Sequence, residues 1–150
     1  MSAASGDRIE IMHGVNLDQL GRRDPSHYGS LDLPSLERRI DAWATELGLS
    51  AHCFQTNHEG QFVEHLHSLR GSADAVVLNP GAWTHYAYSL HDALEITGLP
   101  AVEVHLSDVN SREPWRRESV IRPLCLATVS GKGPDGYREA LELLKKELAG

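Results

Sequence analysis

The feature that most constrains the fold is an alternation of short apolar runs with segments of helical periodicity along the whole chain. The apolar runs are 8–12, 51–55, 75–79, 101–105 and 126–130. Each has the length of a strand and is rich in β-branched residues. Strands joined in this way pair in parallel, because each right-handed crossover is covered by a helix. The sequence therefore predicts an α/β protein whose five-stranded parallel sheet carries helices on both faces.

Apolar residues spaced three and four apart predict four helices between and after the strands. The clearest begins near Leu33, has Pro34 in its first turn and ends before Gly48. The other three carry their apolar stripes within 62–69, 90–96 and 137–148. By contrast, the glycine and proline of 21–30 favour a mobile loop over a regular helix or strand.

The length of 150 residues suits a single domain spanning 1–150, with residues 1–7 as a short frayed tail. No apolar run approaches the ~18 residues of a membrane span, and the N-terminus lacks the basic and apolar segments of a secretory signal. We therefore expect a cytoplasmic protein that does not enter a membrane. Cys53 and Cys125 lie in apolar segments and are expected to be reduced thiols in buried strands.

The net charge of −7 argues against sequence-independent binding of nucleic acid, which depends on clustered lysine and arginine. Eleven of the 14 basic residues are arginine, and two pairs, Arg22/Arg23 and Arg116/Arg117, fall in predicted loops. Arginine binds planar carboxylates through two parallel hydrogen bonds. The composition therefore favours a small carboxylate ligand.

Polar residues concentrate in the loops that follow the predicted strands, the edge of a parallel sheet at which ligands bind. Glu103 and His105 lie two apart on one strand and share a face, so the carboxylate can hold the imidazole protonated as a general acid. The alternative is a histidine satisfied by solvent at a strand end. Asn79 and His85 add an amide and an imidazole in the preceding loop, with a turn cap as the alternative reading.

Tyr28 follows the first arginine pair within 21–30. An unassisted phenol is a poor base at neutral pH, but nearby guanidinium groups favour the phenolate. Arg23 on the same loop and Arg112 on the loop after the fourth strand are the candidates for that task. The pattern predicts that Tyr28 is a general base on a loop that closes over substrate, the alternative being an ordinary surface tyrosine.

Nucleotide and metal sites are disfavoured. The glycine-rich segment 131–136 lacks the lysine-hydroxyl ending that holds a nucleotide phosphate and its metal. His58, His65 and His67 lack the spacing of a helical zinc-binding pair, and no cysteine cluster accompanies them. Solvated or helix-capping histidines are expected instead, with no metal and no cofactor.

Five segments, in order over nearly the whole chain, resemble type II 3-dehydroquinate dehydratase. They read GVNLDQLGRRDPSHYGS, FQTNHEGQFVEHLH, NPGAWTHYAYSLHDAL, PAVEVHLSDVNSREPWR and GPDGYREAL. The resemblance implies a flavodoxin-like three-layer sandwich and a homododecamer built from trimers. It also implies a cofactor-free anti elimination of water from 3-dehydroquinate, through an enolate, to give 3-dehydroshikimate. Such a reaction serves the shikimate pathway or quinate catabolism.

The resemblance further implies individual roles. Tyr28 would remove the proton at C2, Arg23 and Arg112 would keep Tyr28 ionised, and Asn16 would hold the water that stabilises the enolate. The acid that protonates the departing C1 hydroxyl would be His105, oriented by Glu103. The remaining matches would contact substrate. Its carboxylate would be bound by Asn79, Leu106 and Ser107, and its ring hydroxyls by His85 and Arg116. Asp92 would reach the site of a neighbouring subunit.

Several positions depart from the family's usual pattern, with His13 in place of an asparagine and Val15 in place of a proline. The others are Trp83, His91, Asp108, Asn110, Arg117 and Glu118. Because the proposed base, acid and activating arginines are retained, we expect the chemistry to survive. Two alternatives remain open at this stage: a related lyase for a different hydroxylated ring carboxylate, motivated by His13, and a non-catalytic flavodoxin-like binding module.

Overall fold

A computed structural model describes residues 6–28 and 30–150, and it contains the predicted parallel sheet. The strands are β1 (Arg8–His13), β2 (Ser50–Gln55), β3 (Ala75–Asn79), β4 (Ala101–His105) and β5 (Ala127–Ser130). Each boundary lies within one residue of the predicted run. All neighbouring strands pair in parallel, in the order β2-β1-β3-β4-β5. Of the predicted tail, residues 1–5 lie outside the described residues.

The helices are α1 (Pro25–Tyr28), α2 (Leu33–Glu46), α3 (Glu59–His67), α4 (Tyr88–Thr97) and α5 (Asp135–Ala149). The longer four match the predicted helices. The expectation that 21–30 forms no regular helix was wrong for one turn, because Asp24 accepts hydrogen bonds from two backbone amides and closes α1. At α2, Pro34 occupies the first turn, as the sequence indicated, and the Asp32 side chain caps the helix by accepting from the Ser35 amide.

Two apolar cores, one on each side of the sheet, hold the layers together. Alternate strand residues point to opposite faces, so Ile11 enters one core and Met12 the other. Helices α2 and α5 cover the first face, whereas α3 and α4 cover the second. The architecture is therefore the expected flavodoxin-like three-layer α/β sandwich. That residues 1–150 form a single domain stays a prediction.

The carboxyl ends of β1 and β3 meet at the centre of the sheet, where His13 pairs in register with Asn79. Directly beyond, the Gly14 amide donates to the Asn79 carbonyl at 2.8 Å. A Cβ on Gly14 would lie 2.2 Å from the Pro80 carbonyl oxygen. The approach of these two loops therefore requires glycine at position 14.

The helices of 6–28 and 30–150 include none that is long and apolar enough to cross a membrane. Cys53 lies in β2, but Cys125 precedes β5, so its predicted place in a buried strand was wrong. Both thiols are only partly exposed, and burial raises the pKa of each to about 12.

Replacing Gly14 with alanine should force apart the loops that follow β1 and β3, because the added Cβ would overlap backbone atoms of Pro80. We expect Gly14→Ala to lower the free energy of unfolding by roughly 1–3 kcal/mol, measured by urea denaturation. Gly60→Ala is the matched control, since Gly60 lies in α3 with open space around it and should become neutral to slightly more stable. Equal stability of the Gly14→Ala variant and the wild type would contradict the proposed clash.

Candidate active site

A cavity of about 630 Å³, including its open mouth, lies beyond the carboxyl ends of β1, β3 and β4. Its walls come from the three loops that follow β1, β3 and β4 and from α1. All the predicted site residues line it except Glu103, which lies behind His105, and Asp92. The lining residues are Val15, Asn16, Leu17, Arg23, Tyr28, Asn79, Gly81, Ala82, His85, His105, Leu106, Ser107, Val109, Arg112 and Arg116.

Tyr28, at the end of α1, is held by two guanidinium groups, and we call these three residues the tyrosine clamp. Arg23 Nη2 and Arg112 Nη1 each donate to the phenolic oxygen at 2.6 Å. The Arg23 guanidinium carbon also lies 3.7 Å from the ring centroid. Two cationic groups therefore face one oxygen at the cavity wall. Arg112 Nη1 additionally donates to Ser107 Oγ at 3.3 Å.

His105 and Glu103 form a buried pair on β4, with Nε2 and Oε2 separated by 2.5 Å. The second carboxylate oxygen accepts from Ser119 Oγ at 2.8 Å and from Thr128 Oγ1 at 3.4 Å. Complete burial opposes ionisation of Glu103, but the hydrogen bonds from His105 and Ser119 outweigh burial and lower the pKa of the carboxyl. The carboxylate thus fixes the orientation of the His105 imidazole at the cavity wall.

Sequence reasoning missed Ser119 and Thr128. Thr128 pairs in register with Glu103 across β4 and β5, so knowledge of the strand order would have found it. Ser119 lies in an irregular loop, and nothing in its local sequence indicates the contact.

His85 lies beside this pair, with its ring 6.3 Å from that of His105. Its Nδ1–H donates to the Glu118 carbonyl at 2.6 Å. Burial lowers the pKa of His85, which favours the neutral ring and leaves Nε2 as an acceptor. The ring also packs edge-on against Trp115. His85 is therefore suited to accept a hydrogen bond from a ligand hydroxyl.

Two asparagines complete the wall at the ends of β1 and β3. Asn16 has a φ of 69°, and its backbone N–H donates to Asn57 Oδ1 at 2.8 Å. Asn79 Oδ1 accepts from the backbone N–H of Gly81 at 3.2 Å. Asn79 Nδ2 lies 3.5 Å from the Tyr137 hydroxyl. Asn57 and Tyr137 thus support predicted residues from outside the cavity. Neither was found from sequence.

Asp92 lies apart from the cavity, exposed on α4 and 3.0 Å from His91 Nδ1. Its predicted contact with a neighbouring subunit stays a prediction. His13 is fully buried, with Nε2 at 3.4 Å from Glu37 Oε2. The two groups are within ion-pair distance, but neither ring nitrogen of His13 makes a hydrogen bond to the described residues. His13 faces the α2 side of the sheet and does not line the cavity, whereas Val15 does.

The expectation of solvated or capping histidines was wrong for His65, which is mostly buried and pairs with the buried Glu10 at 2.5 Å. Glu10 is distant in sequence, so spacing within 58–67 could not reveal the contact. His58 occupies the N-cap position of α3 without a side-chain cap, and His67 is exposed at its last turn.

A phenol between two guanidiniums and an imidazole on a buried carboxylate, at one edge of a flavodoxin-like sheet, define an α/β enzyme that moves protons on a small anionic molecule. The chain belongs to the dehydroquinase class II family, whose sequence model matches residues 7–145.

Similar proteins cover nearly the same length. A relative from Syntrophotalea carbinolica, named 3-dehydroquinate dehydratase, is 46% identical over 135 residues, covering 89% of this chain and 91% of the relative. The crystal structure of a type II dehydroquinase from Butyrivibrio crossotus has a TM-score of 0.91 at 35% identity, covering 94% of this chain and 99% of that one. The crystal structure of the Propionibacterium acnes type II dehydroquinase has a TM-score of 0.89 at 36% identity, and the match covers 93% of this chain and 97% of that one.

The Glu103 pair should make stability depend on acid pH. The pKa of the Glu103 carboxyl in the folded protein lies below its ordinary value of 4.5. The ionised carboxylate therefore stabilises the folded state above pH 4.5, and this stabilisation is lost as the pH falls through the folded pKa. The wild type should therefore exceed Glu103→Gln in free energy of unfolding near neutrality, by an amount that shrinks below about pH 4.5. Urea denaturation of both proteins across pH tests this, and a pH-independent difference would contradict it.

Proposed function

We propose that this protein is a 3-dehydroquinate dehydratase, a hydro-lyase that removes water from 3-dehydroquinate to give 3-dehydroshikimate. The observation that carries the proposal is the tyrosine clamp, which shares one cavity with the His105–Glu103 pair. Membership of the dehydroquinase class II family and relatives named 3-dehydroquinate dehydratase support the same substrate.

In the first step, the Tyr28 phenolate removes the proton at C2, next to the ketone. The electron pair of the broken C–H bond passes into the carbonyl and forms an enolate. Arg23 and Arg112 supply the charge that keeps the phenol ionised before the transfer. Asn16, at the cavity wall, holds a water molecule that donates to the enolate oxygen.

In the second step, the enolate reforms its carbonyl, the C1–O bond breaks and a conjugated enone results. His105 donates a proton to the departing hydroxyl, which leaves as water. Glu103 favours the imidazolium needed for this donation, and Ser119 keeps the carboxylate in place. After one turnover, Tyr28 has gained a proton and His105 has lost one. Exchange with solvent returns both residues to their starting states.

Substrate orientation is assigned to the remaining predicted residues. The substrate carboxylate is bound by Asn79, Leu106 and Ser107. The ring hydroxyls are bound by His85 and Arg116. The neutral state favoured at His85 suits a hydroxyl better than an anion. Arg116 is held by Glu113 at 3.0 Å and stacks over Trp115, so its guanidinium is fixed before substrate enters.

Schiff-base chemistry does not suit this cavity. No lysine belongs to its lining among the described residues, and the three lysines are Lys132, Lys145 and Lys146. The alternatives of a different ring-acid lyase and of a binding module are not favoured, because the chain belongs to a dehydroquinase family and His13 stays outside the cavity.

Assembly, compartment and pathway are further parts of the proposal. We assign a homododecamer built from trimers, in which Asp92 reaches a neighbouring site, and a cytoplasmic location. The reaction belongs to the shikimate pathway or to quinate catabolism. The exposure of the Asp92 carboxylate is compatible with a contact to another subunit.

Removal of the phenolic oxygen should nearly abolish turnover. We expect Tyr28→Phe to lower kcat roughly 100- to 10,000-fold, because a general base contributes about that factor. The assay follows ultraviolet absorbance of the conjugated enone after addition of 3-dehydroquinate. Tyr86→Phe is the control, since Tyr86 is 60% exposed and outside the cavity, and it should react like the wild type. Full activity of Tyr28→Phe would remove Tyr28 as the base.

Charge at position 112 should matter more than shape. Arg112→Lys keeps a cation near the phenolic oxygen, whereas Arg112→Gln does not. We expect kcat to fall about 10- to 100-fold in Arg112→Gln, the value of a charge-assisted hydrogen bond, and to fall less in Arg112→Lys. Steady-state kinetics of both variants measure the order, and a larger loss in the lysine variant would show that the planar guanidinium, not its charge, is required.

A further inference from the structure

A second cluster of ionisable side chains lies away from the cavity, at the β2 edge of the sheet. Glu10 on β1 pairs in register with His52 on β2, and His65 reaches them from α3. The Glu10 side chain shares the face of Met12, on the α3 and α4 side of the sheet. We call Glu10, His52 and His65 the Glu10 cluster. None of the three lines the active-site cavity.

The three donor groups converge on one point. His52 Nδ1 lies 3.0 Å from Glu10 Oε1 and 2.9 Å from Oε2, and His65 Nε2 lies 2.5 Å from the same Oε2. The ligand atoms all lie within 4.8 Å of one another. A nearly buried carboxylate therefore faces two imidazole nitrogens in a volume that a single ion could share.

Neighbouring rings hold these donors in position. The His65 ring stacks on Phe54, with centroids 3.7 Å apart and planes within 3°. The His52 ring is nearly parallel to that of His65 at 6.5 Å. Because Phe54 and His52 project from the same face of β2, the strand fixes both contacts. Donors fixed in this way lose little conformational entropy when an ion binds.

We propose that the Glu10 cluster binds a divalent transition-metal ion of the zinc type. Two imidazole nitrogens and one carboxylate oxygen form a set that zinc accepts in tetrahedral geometry, with bonds of about 2.0–2.2 Å. Each ring nitrogen that faces Glu10 must give up any proton it carries when the ion binds, and that proton either moves to the other nitrogen of the same ring or is released to solvent. The His52 side chain is 72% exposed, so water completes the coordination from the solvent side. Imidazole donors disfavour Mg²⁺ and Ca²⁺, which prefer oxygen.

The ion has a structural role. It joins β1, β2 and α3, and binding to the folded state alone raises stability by mass action. Within 6–28 and 30–150, two other groups of potential ligands are less suitable. His91, Asp92 and Glu95 lie within one turn of α4 and two of them are exposed. The third group, His13, Glu37 and Cys53, contains a thiol whose pKa is raised to about 12 by burial.

The test titrates chelator-treated, tag-free protein with Zn²⁺ by calorimetry and with Co²⁺ by visible absorption. We expect one ion per chain, the absorption bands of tetrahedral Co²⁺ and a higher melting temperature with Zn²⁺. His52→Ala changes an exposed residue and should keep the fold, yet it should weaken affinity roughly 100-fold or more by removing a ligand. Glu10→Gln should act in the same direction.

The matched control is His67→Ala, which removes an exposed histidine two residues further along α3 and should bind Zn²⁺ like the wild type. Absence of saturable binding by the wild type would overturn the proposal, as would unchanged affinity in both His52→Ala and Glu10→Gln. Turnover of 3-dehydroquinate should be the same with and without Zn²⁺. The metal result therefore stands or falls separately from the proposed dehydratase activity.

Discussion

Parallel pairing of the central strands β1 and β3 places the loops after them against each other, and the catalytic cavity depends on that contact. Gly14 lets the first loop approach Pro80 closely enough for its amide to reach the Asn79 carbonyl. Asn16 and Asn79 thereby enter one wall. Because the loop after β3 also carries His85, the same contact sets the distance between the first loop and that imidazole.

Charges of opposite sign are then arranged on different walls of the cavity. Two guanidiniums surround the Tyr28 oxygen, whereas a buried carboxylate lies behind His105. In the proposed mechanism, the cations beside Tyr28 support its role as the base, and the carboxylate behind His105 orients the imidazole that acts as the acid. One small cavity would thereby supply both groups that an elimination of water requires. The Glu10 cluster repeats the carboxylate–imidazole pairing at the sheet edge, without access to this cavity.

The strands and the long helices were predicted to within a few residues, because apolar periodicity is local and strong in every one of them. The turn of α1 was missed, because Pro25 and the nearby glycines indicate a loop, and nothing local shows that the Asp24 carbonyl accepts hydrogen bonds from the His27 and Tyr28 amides. Site residues at strand ends, such as Asn79 and His105, were found because parallel strands align their carboxyl ends. Supporting residues such as Ser119 were not, because an irregular loop carries no comparable pattern.

The sequence by itself determined which elements form and which side chains stand at the functional edge of the sheet. It did so because periodicity, turn residues and strand direction act over short stretches of chain. Only the tertiary structure decided which side chains meet: Arg112 reaches a tyrosine 84 positions away, and His65 reaches a glutamate 55 positions away. Such contacts depend on strand order, on the path of each crossover and on close packing of two cores, and these are properties of the whole chain rather than of any segment.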